Sequence, residues 1–168
     1  MRGKRIYLDT SIFIAEFDRN DRVHSYVSGF FSKVKKLKNM ELCSSKWAIH
    51  EMNNKLTKKK LSEFKIAKYI RDMLDKSSTR SVKIRFLDVS SNKNYDFNHF
   101  FNDLGKDLIK YKTGRDRPGL GDIMHIRIMK NNRVNIVASF DSHFEKIPGI
   151  TCINPSNQEW RIGKEYQK

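Results

Sequence analysis

Four acidic residues stand out in a lysine-rich chain: Asp9 in RIYLDTSIFI, Glu51 in SSKWAIHEM, Asp122 in PGLGDIMHI and Asp141 in IVASFDSHF. Each falls at or near an expected boundary between a strand and a helix, and an α/β sheet gathers such boundaries at its strand ends. Two unit charges about 4 Å apart repel by roughly 4 kcal/mol at an effective dielectric near 20. Four carboxylates converging on one cavity must therefore protonate, spread apart or hold a cation. Oxygen ligands favour magnesium or manganese. The chemistry such a cluster supports is the binding of a divalent cation. The plainer account of any one acid is solvent exposure, which for Glu51 alone means the edge of a helix face.

The charge around those acids points to the substrate. Lys and Arg number 34 against 19 Asp and Glu, a formal net charge of +15, with a sequence pI near 9.9. A chain this basic attracts polyanions, and nucleic acid comes before a membrane surface or an acidic protein. Excess lysine serving only solubility or thermal stability is the competing explanation.

The 168 residues are 38% hydrophobic and 32% charged. That is enough to bury a core and well short of the low-hydrophobicity regime of disorder, so one compact domain over 1–168 is expected. The start, MRGKR then IYLDTSIFIA, has the charge pattern of a signal peptide, but Asp9 interrupts the apolar stretch and no small-residue cleavage site follows. No run approaches the ~18 apolar residues of a membrane span. The expectation is a soluble, cytoplasmic protein with no membrane partner. Cys43 and Cys152 lie in short apolar runs without metal-ligand spacing and read as small buried hydrophobes in strands.

The elements that would position the acids follow from periodicity. RIYL (5–8) predicts a strand, with Asp9 and Thr10 as capping residues for a helix carrying Ile12, Phe13 and Phe17. Val23, Val27, Phe30, Phe31, Val34 and Leu37 predict a core-facing helix over 21–38, followed by a strand near 40–43. Ser44 or Ser45 should cap a helix with Trp47, Ala48, Glu51 and Met52 near one face.

The lysine run in TKKKLSEFK reads equally as a solvated face or a phosphate contact. It leads into a helix reaching Leu74, with Leu61, Phe64, Ile70 and Leu74 as apolar contacts. SSTRS is an expected loop before the strand VKIRFLDV, and Phe97, Phe100, Phe101, Leu104 and Leu108 predict a helix over 95–111 whose aromatic stripe faces the core. A Gly/Pro loop, KTGRDRPGLG, places Lys112, Arg115 and Arg117 just before Asp122. A helix to about Lys130, the strand VNIVAS ending at Asp141, and the apolar run GITCINP complete the chain. Alternating strands and helices imply a mostly parallel sheet with helices on both faces.

The motifs resemble those of the PIN-domain nucleases. The strand ending in Asp9-Thr10-Ser11 looks like their first motif, and Glu51 lies on a helix where their second acid falls. Gly121-Asp122 opening a helix resembles the third, and Ser139-Phe140-Asp141-Ser142-His143-Phe144 with IPGITCINP the fourth motif and closing strand. The resemblance spans nearly the whole chain. It implies a three-layer α/β/α sandwich and a Mg2+- or Mn2+-dependent endoribonuclease with Asp9, Glu51, Asp122 and Asp141 as metal-holding catalytic acids. Thr10 and Ser139 would orient carboxylates or a bound water from behind, and Lys112, Arg115 and Arg117 would contact RNA phosphates.

Many small PIN proteins are toxins of the VapC-like class, neutralised by a small antitoxin and often dimeric, so RNA, an antitoxin and a second copy are the expected partners. An RNA-processing or decay nuclease without an antitoxin, a non-cleaving RNA-binding protein and a structure-specific DNA nuclease are the alternatives. The family often has another acid two residues after its fourth-motif Asp; here that position is His143, read as peripheral.

Overall fold

The computed structural model describes residues 4–37, 39–74, 83–90, 92, 94–111 and 118–157. Five strands form one parallel sheet: β1 (Lys4–Leu8), β2 (Met40–Ser45), β3 (Ile84–Leu87), β4 (Ile136–Ala138) and β5 (Thr151–Ile153), in the order β3-β2-β1-β4-β5. Six helices accompany them: α1 (Thr10–Phe17), α2 (His24–Lys35), α3 (Lys46–Lys58), α4 (Glu63–Leu74), α5 (Phe97–Lys110) and α6 (Leu120–Asn131), with a short 3-10 helix at Ser142–Lys146. The expected mostly parallel sheet is wholly parallel among the described residues.

Strand β1 shows why both faces are covered. Ile6, Tyr7 and Leu8 are all fully buried. Because neighbouring strand residues point to opposite faces, Ile6 and Leu8 join one core while Tyr7 joins the other. The first core takes Phe13 of α1, Phe30 of α2, Met52 of α3 and Ile66 of α4; the second takes Phe100 of α5, Ile126 of α6 and Phe144. The result is a three-layer sandwich.

The two strands that carry acids are central neighbours, paired from Ile6 with Ile136 to Leu8 with Ala138. The chain leaves β1 toward β2 on one side and returns to β4 on the other. A crevice outside the carboxyl ends of parallel strands opens at such a reversal. Asp9 and Asp141 both follow those ends.

Several elements differ from their sequence pattern. Helix α2 begins at His24, because the Asp21 carboxylate accepts from Val23 N and turns the backbone before it. Phe64, expected in the core, is 78% exposed, and α4 buries Ile66 and Met73 instead. The stripe on α5 divides as well: Phe100 and Leu104 are buried while Phe101 is 57% exposed. Strand β2 runs through Ser45, which then caps α3. The expected SSTRS loop and the cations Lys112, Arg115 and Arg117 lie outside the described residues. Cys43 and Cys152 are free, in strands β2 and β5, and burial pushes both thiols up to about 12, so neither is a nucleophile at neutral pH.

Candidate metal centre

Asp9 caps α1, and its Oδ2 accepts from Ser11 N at 3.2 Å, Ser11 Oγ at 2.7 Å and Ser139 Oγ at 2.9 Å. Three donors on one oxygen fix the carboxylate. The two serines also tie the end of β4 to α1, since Phe140 N donates to Ser11 Oγ and Asp141 N to Ser139 Oγ. Asp141 in turn caps the 3-10 helix by accepting from His143 N at 2.9 Å.

Glu51 projects from α3 toward the same end of the sheet. Its Oε2 accepts from Thr10 Oγ1 at 2.6 Å and faces His125 Nε2 at 3.0 Å, while Oε1 pairs with Lys55 Nζ at 2.9 Å. Burial alone would raise this carboxyl's pKa, but hydrogen bonds from His125, Thr10 and Lys55 outweigh it and hold the group well below the usual carboxylate range. Thr10 is therefore not the helix cap; Asp9 is, and the Thr10 hydroxyl is free to hold Glu51.

Asp122 sits in the first turn of α6, where Oδ2 accepts from Gly119 N at 2.8 Å and faces the favourable end of the helix dipole. Its pKa is nonetheless raised, first by burial, with the charges of Asp141 and Asp9 adding to it and outweighing the Gly119 hydrogen bond. Gly121 lets α3 approach α6: a Cβ there would lie 3.2 Å from Glu51 Oε1. All four predicted acids thus reach one region, as two separate groups, Asp9 with Glu51 and His125, and Asp122 with Asp141 and His143, the ligand atoms inside each group lying within 4.8 Å of one another.

Both histidines add to what the acids supply. His125 is fully buried, with Nδ1 2.8 Å from Tyr7 Oη and Nε2 3.4 Å from Asp9 Oδ1 as well as against Glu51. Sequence reasoning passed over it, although a histidine three residues after Asp122 in the apolar run IMHI lies on the same side of a helix. His143 is not peripheral: its Nδ1 lies 3.1 Å from Asp141 Oδ1 and 3.4 Å from Asp122 Oδ2. Ser11, Tyr7 and Lys55 were also missed, being ordinary residue types without distinctive spacing.

The residues present suit a divalent cation. Carboxylate oxygens predominate, Asp122 carries a desolvated charge beside like charges, and His143 Nδ1 is a buried atom with no hydrogen-bond partner.

Parallel topology and acids gathered at the strand reversal define an α/β sandwich with a candidate metal centre, and the sequence comparison gives its family. A family model for the PIN domain matches residues 6–150, and the chain belongs to that family. No curated protein matches the sequence. Among solved structures, the chain is similar to VapC20 of Mycobacterium tuberculosis, described as a sarcin-ricin loop cleaving toxin, at 14% identity and a TM-score of 0.56, covering 83% of this chain and 92% of that one. It is also similar to VapBC2 from Rickettsia felis, solved bound to a DNA fragment from their promoter, at 14% identity and a TM-score of 0.61, covering 89% and 98%. At that identity the likeness speaks for the fold. Among the described residues no helix is long and apolar enough to cross a membrane.

Proposed function

We propose that this protein is a metal-dependent endoribonuclease and the toxin of a VapBC-like toxin–antitoxin pair, acting in the cytoplasm. The observation that carries the reading is the convergence of Asp9, Glu51, Asp122 and Asp141 at the strand reversal, in a chain of formal net charge +15. PIN membership supports nuclease chemistry, and the similarity to VapC20 and VapBC2 supports RNA as substrate and a small antitoxin as partner.

In this reading the four acids hold Mg2+ or Mn2+, which when bound supplies Lewis acidity and an acidified water. The protein's own share is positioning. Ser11 and Ser139 hold Asp9 Oδ2, while Asp9 Oδ1 lies 3.4 Å from His125 Nε2; Thr10 and His125 hold Glu51 Oε2, while Oε1 pairs with Lys55 Nζ. Fixed carboxylates need no reorganisation as charge develops on the scissile phosphate. Lys112, Arg115 and Arg117, just before Asp122 in the chain, are assigned to the RNA backbone. Pairing with a second copy is part of the same reading, and Phe101 and Ile109 on α5, 57% and 75% exposed, offer apolar surface for it.

The test is cleavage of labelled single-stranded RNA and bulk tRNA with Mn2+ or Mg2+ against EDTA, beside Asp9→Asn and Asp141→Asn. Metal-dependent cutting lost in both variants is expected. RNA binding without cutting, or cutting that survives both substitutions, overturns it.

A further inference from the structure

The ring of His143 is partly exposed, yet its Nδ1 atom is shut off from solvent and has no hydrogen-bond partner. Two carboxylate oxygens stand beside it, Asp141 Oδ1 at 3.1 Å and Asp122 Oδ2 at 3.4 Å. Neither is aligned to accept a hydrogen from the ring, and Asp141 Oδ1 already accepts from the His143 backbone amide at 2.9 Å. A nitrogen that makes no hydrogen bond while two anionic oxygens crowd it is poorly explained as a surface ion pair.

A shared cation accounts for all three atoms. Donors on adjacent positions of an octahedral ion, each about 2.1 Å from it, lie roughly 3 Å apart. The two nitrogen-to-oxygen distances are close to that spacing. The neighbouring histidine differs: both His125 nitrogens already face hydrogen-bond partners, Tyr7 Oη and Glu51 Oε2, so it props the acids rather than offering a free lone pair.

We infer that His143 Nδ1 is a metal ligand beside Asp122 and Asp141, and that this nitrogen makes the site select manganese and softer divalent ions over magnesium. Imidazole suits first-row transition ions, whereas magnesium keeps to oxygen and water. The inference rests on the metal-dependent reading of the site but concerns which ion is chosen. Its sequence signature is the histidine two residues after Asp141.

The experiment is metal binding by the full-length protein, without RNA. Mn2+-loaded wild type, His143→Ala and His143→Asp are compared by pulsed EPR for 14N coupling, and Mn2+ and Mg2+ affinities are taken by calorimetry. Wild type should show 14N coupling that His143→Ala loses. His143→Asp should bind Mg2+ more tightly and lower the Mn2+-over-Mg2+ preference about tenfold. Circular dichroism confirms folding of the variants, and because the wild-type spectrum is itself decisive, a misfolded variant does not rescue the idea.

Absence of 14N coupling in wild type, coupling that survives His143→Ala, or failure to bind Mn2+ overturns the inference. Coupling present in a protein that never cuts RNA would leave the ligand assignment standing and sink the nuclease reading. Metal-dependent cutting without coupling would do the reverse.

Discussion

His125 Nε2 lies 3.0 Å from Glu51 Oε2, and through that contact α6 fixes an acid carried by α3. A carboxylate only accepts, so Nε2 carries the hydrogen and Nδ1 is left to accept from Tyr7 Oη at 2.8 Å. Tyr7 Oη in turn accepts from Ser45 Oγ at 2.6 Å, so each hydrogen along the chain has an acceptor. Burial pushes the Tyr7 phenol far up, keeping it a donor.

Breaking this chain should destabilise the fold in graded steps. Tyr7→Phe removes a single hydroxyl and should cost about 1 kcal/mol. His125→Leu strands Tyr7, Thr10 and Glu51 together and should cost about 2 kcal/mol or more. Urea unfolding of both variants checks the order. A His125→Leu protein as stable as wild type would mean that the buried imidazole holds nothing.

Asp122→Asn should act in the opposite direction on the metal-free protein. Burial and the Asp141 and Asp9 charges raise this carboxyl's pKa, so ionised Asp122 is a cost to the fold at neutral pH. Asn keeps an oxygen for the Gly119 amide and removes the charge. We expect about 1 kcal/mol of added stability, a Tm rise of roughly 2–4 °C, together with weakened divalent-ion binding. A lower Tm in EDTA would show that the acids do not repel one another.

How far the sequence foretold this site depended on how locally each residue is fixed. Asp9, Asp122 and Asp141 belong to short motifs at strand and helix ends, where local pattern and position coincide. The parallel sheet likewise followed from apolar strands such as IYL alternating with helical periods. His125 escaped notice because its importance lies in partners 74 and 115 residues away, Glu51 and Thr10. Phe64 and Phe101 were misjudged because periodicity gives a helix its apolar face without saying how much of that face the neighbours cover.

Glu51 should make the fold sensitive to acid. Its pKa is held below the ordinary value near 4.3, so the unfolded chain binds the proton more tightly than the folded one. The resulting stability is fully present above that ordinary value and is lost as pH falls through the folded pKa. The advantage of wild type over Glu51→Gln in urea unfolding should therefore narrow from about pH 6 to about pH 3. A gap that stays constant would show that the carboxylate is not preferentially ionised in the fold.

Lys55 should oppose metal binding. Its ammonium lies 2.9 Å from Glu51 Oε1, and the charges of Glu51, Asp9 and Asp122 all favour its protonated form even though burial works against it. It is the acids' own counter-ion and must yield when a divalent cation arrives. The pair is half exposed and one helical turn apart, so breaking it costs the fold only about 0.5 kcal/mol. Lys55→Gln should therefore fold normally yet bind Mn2+ more tightly, by about fivefold, or roughly 1 kcal/mol. Calorimetric titration decides it: unchanged or weaker Mn2+ binding would mean that Lys55 merely decorates the helix surface, whereas tighter binding with slower RNA cleavage would show that the displaced ammonium also serves the substrate phosphate.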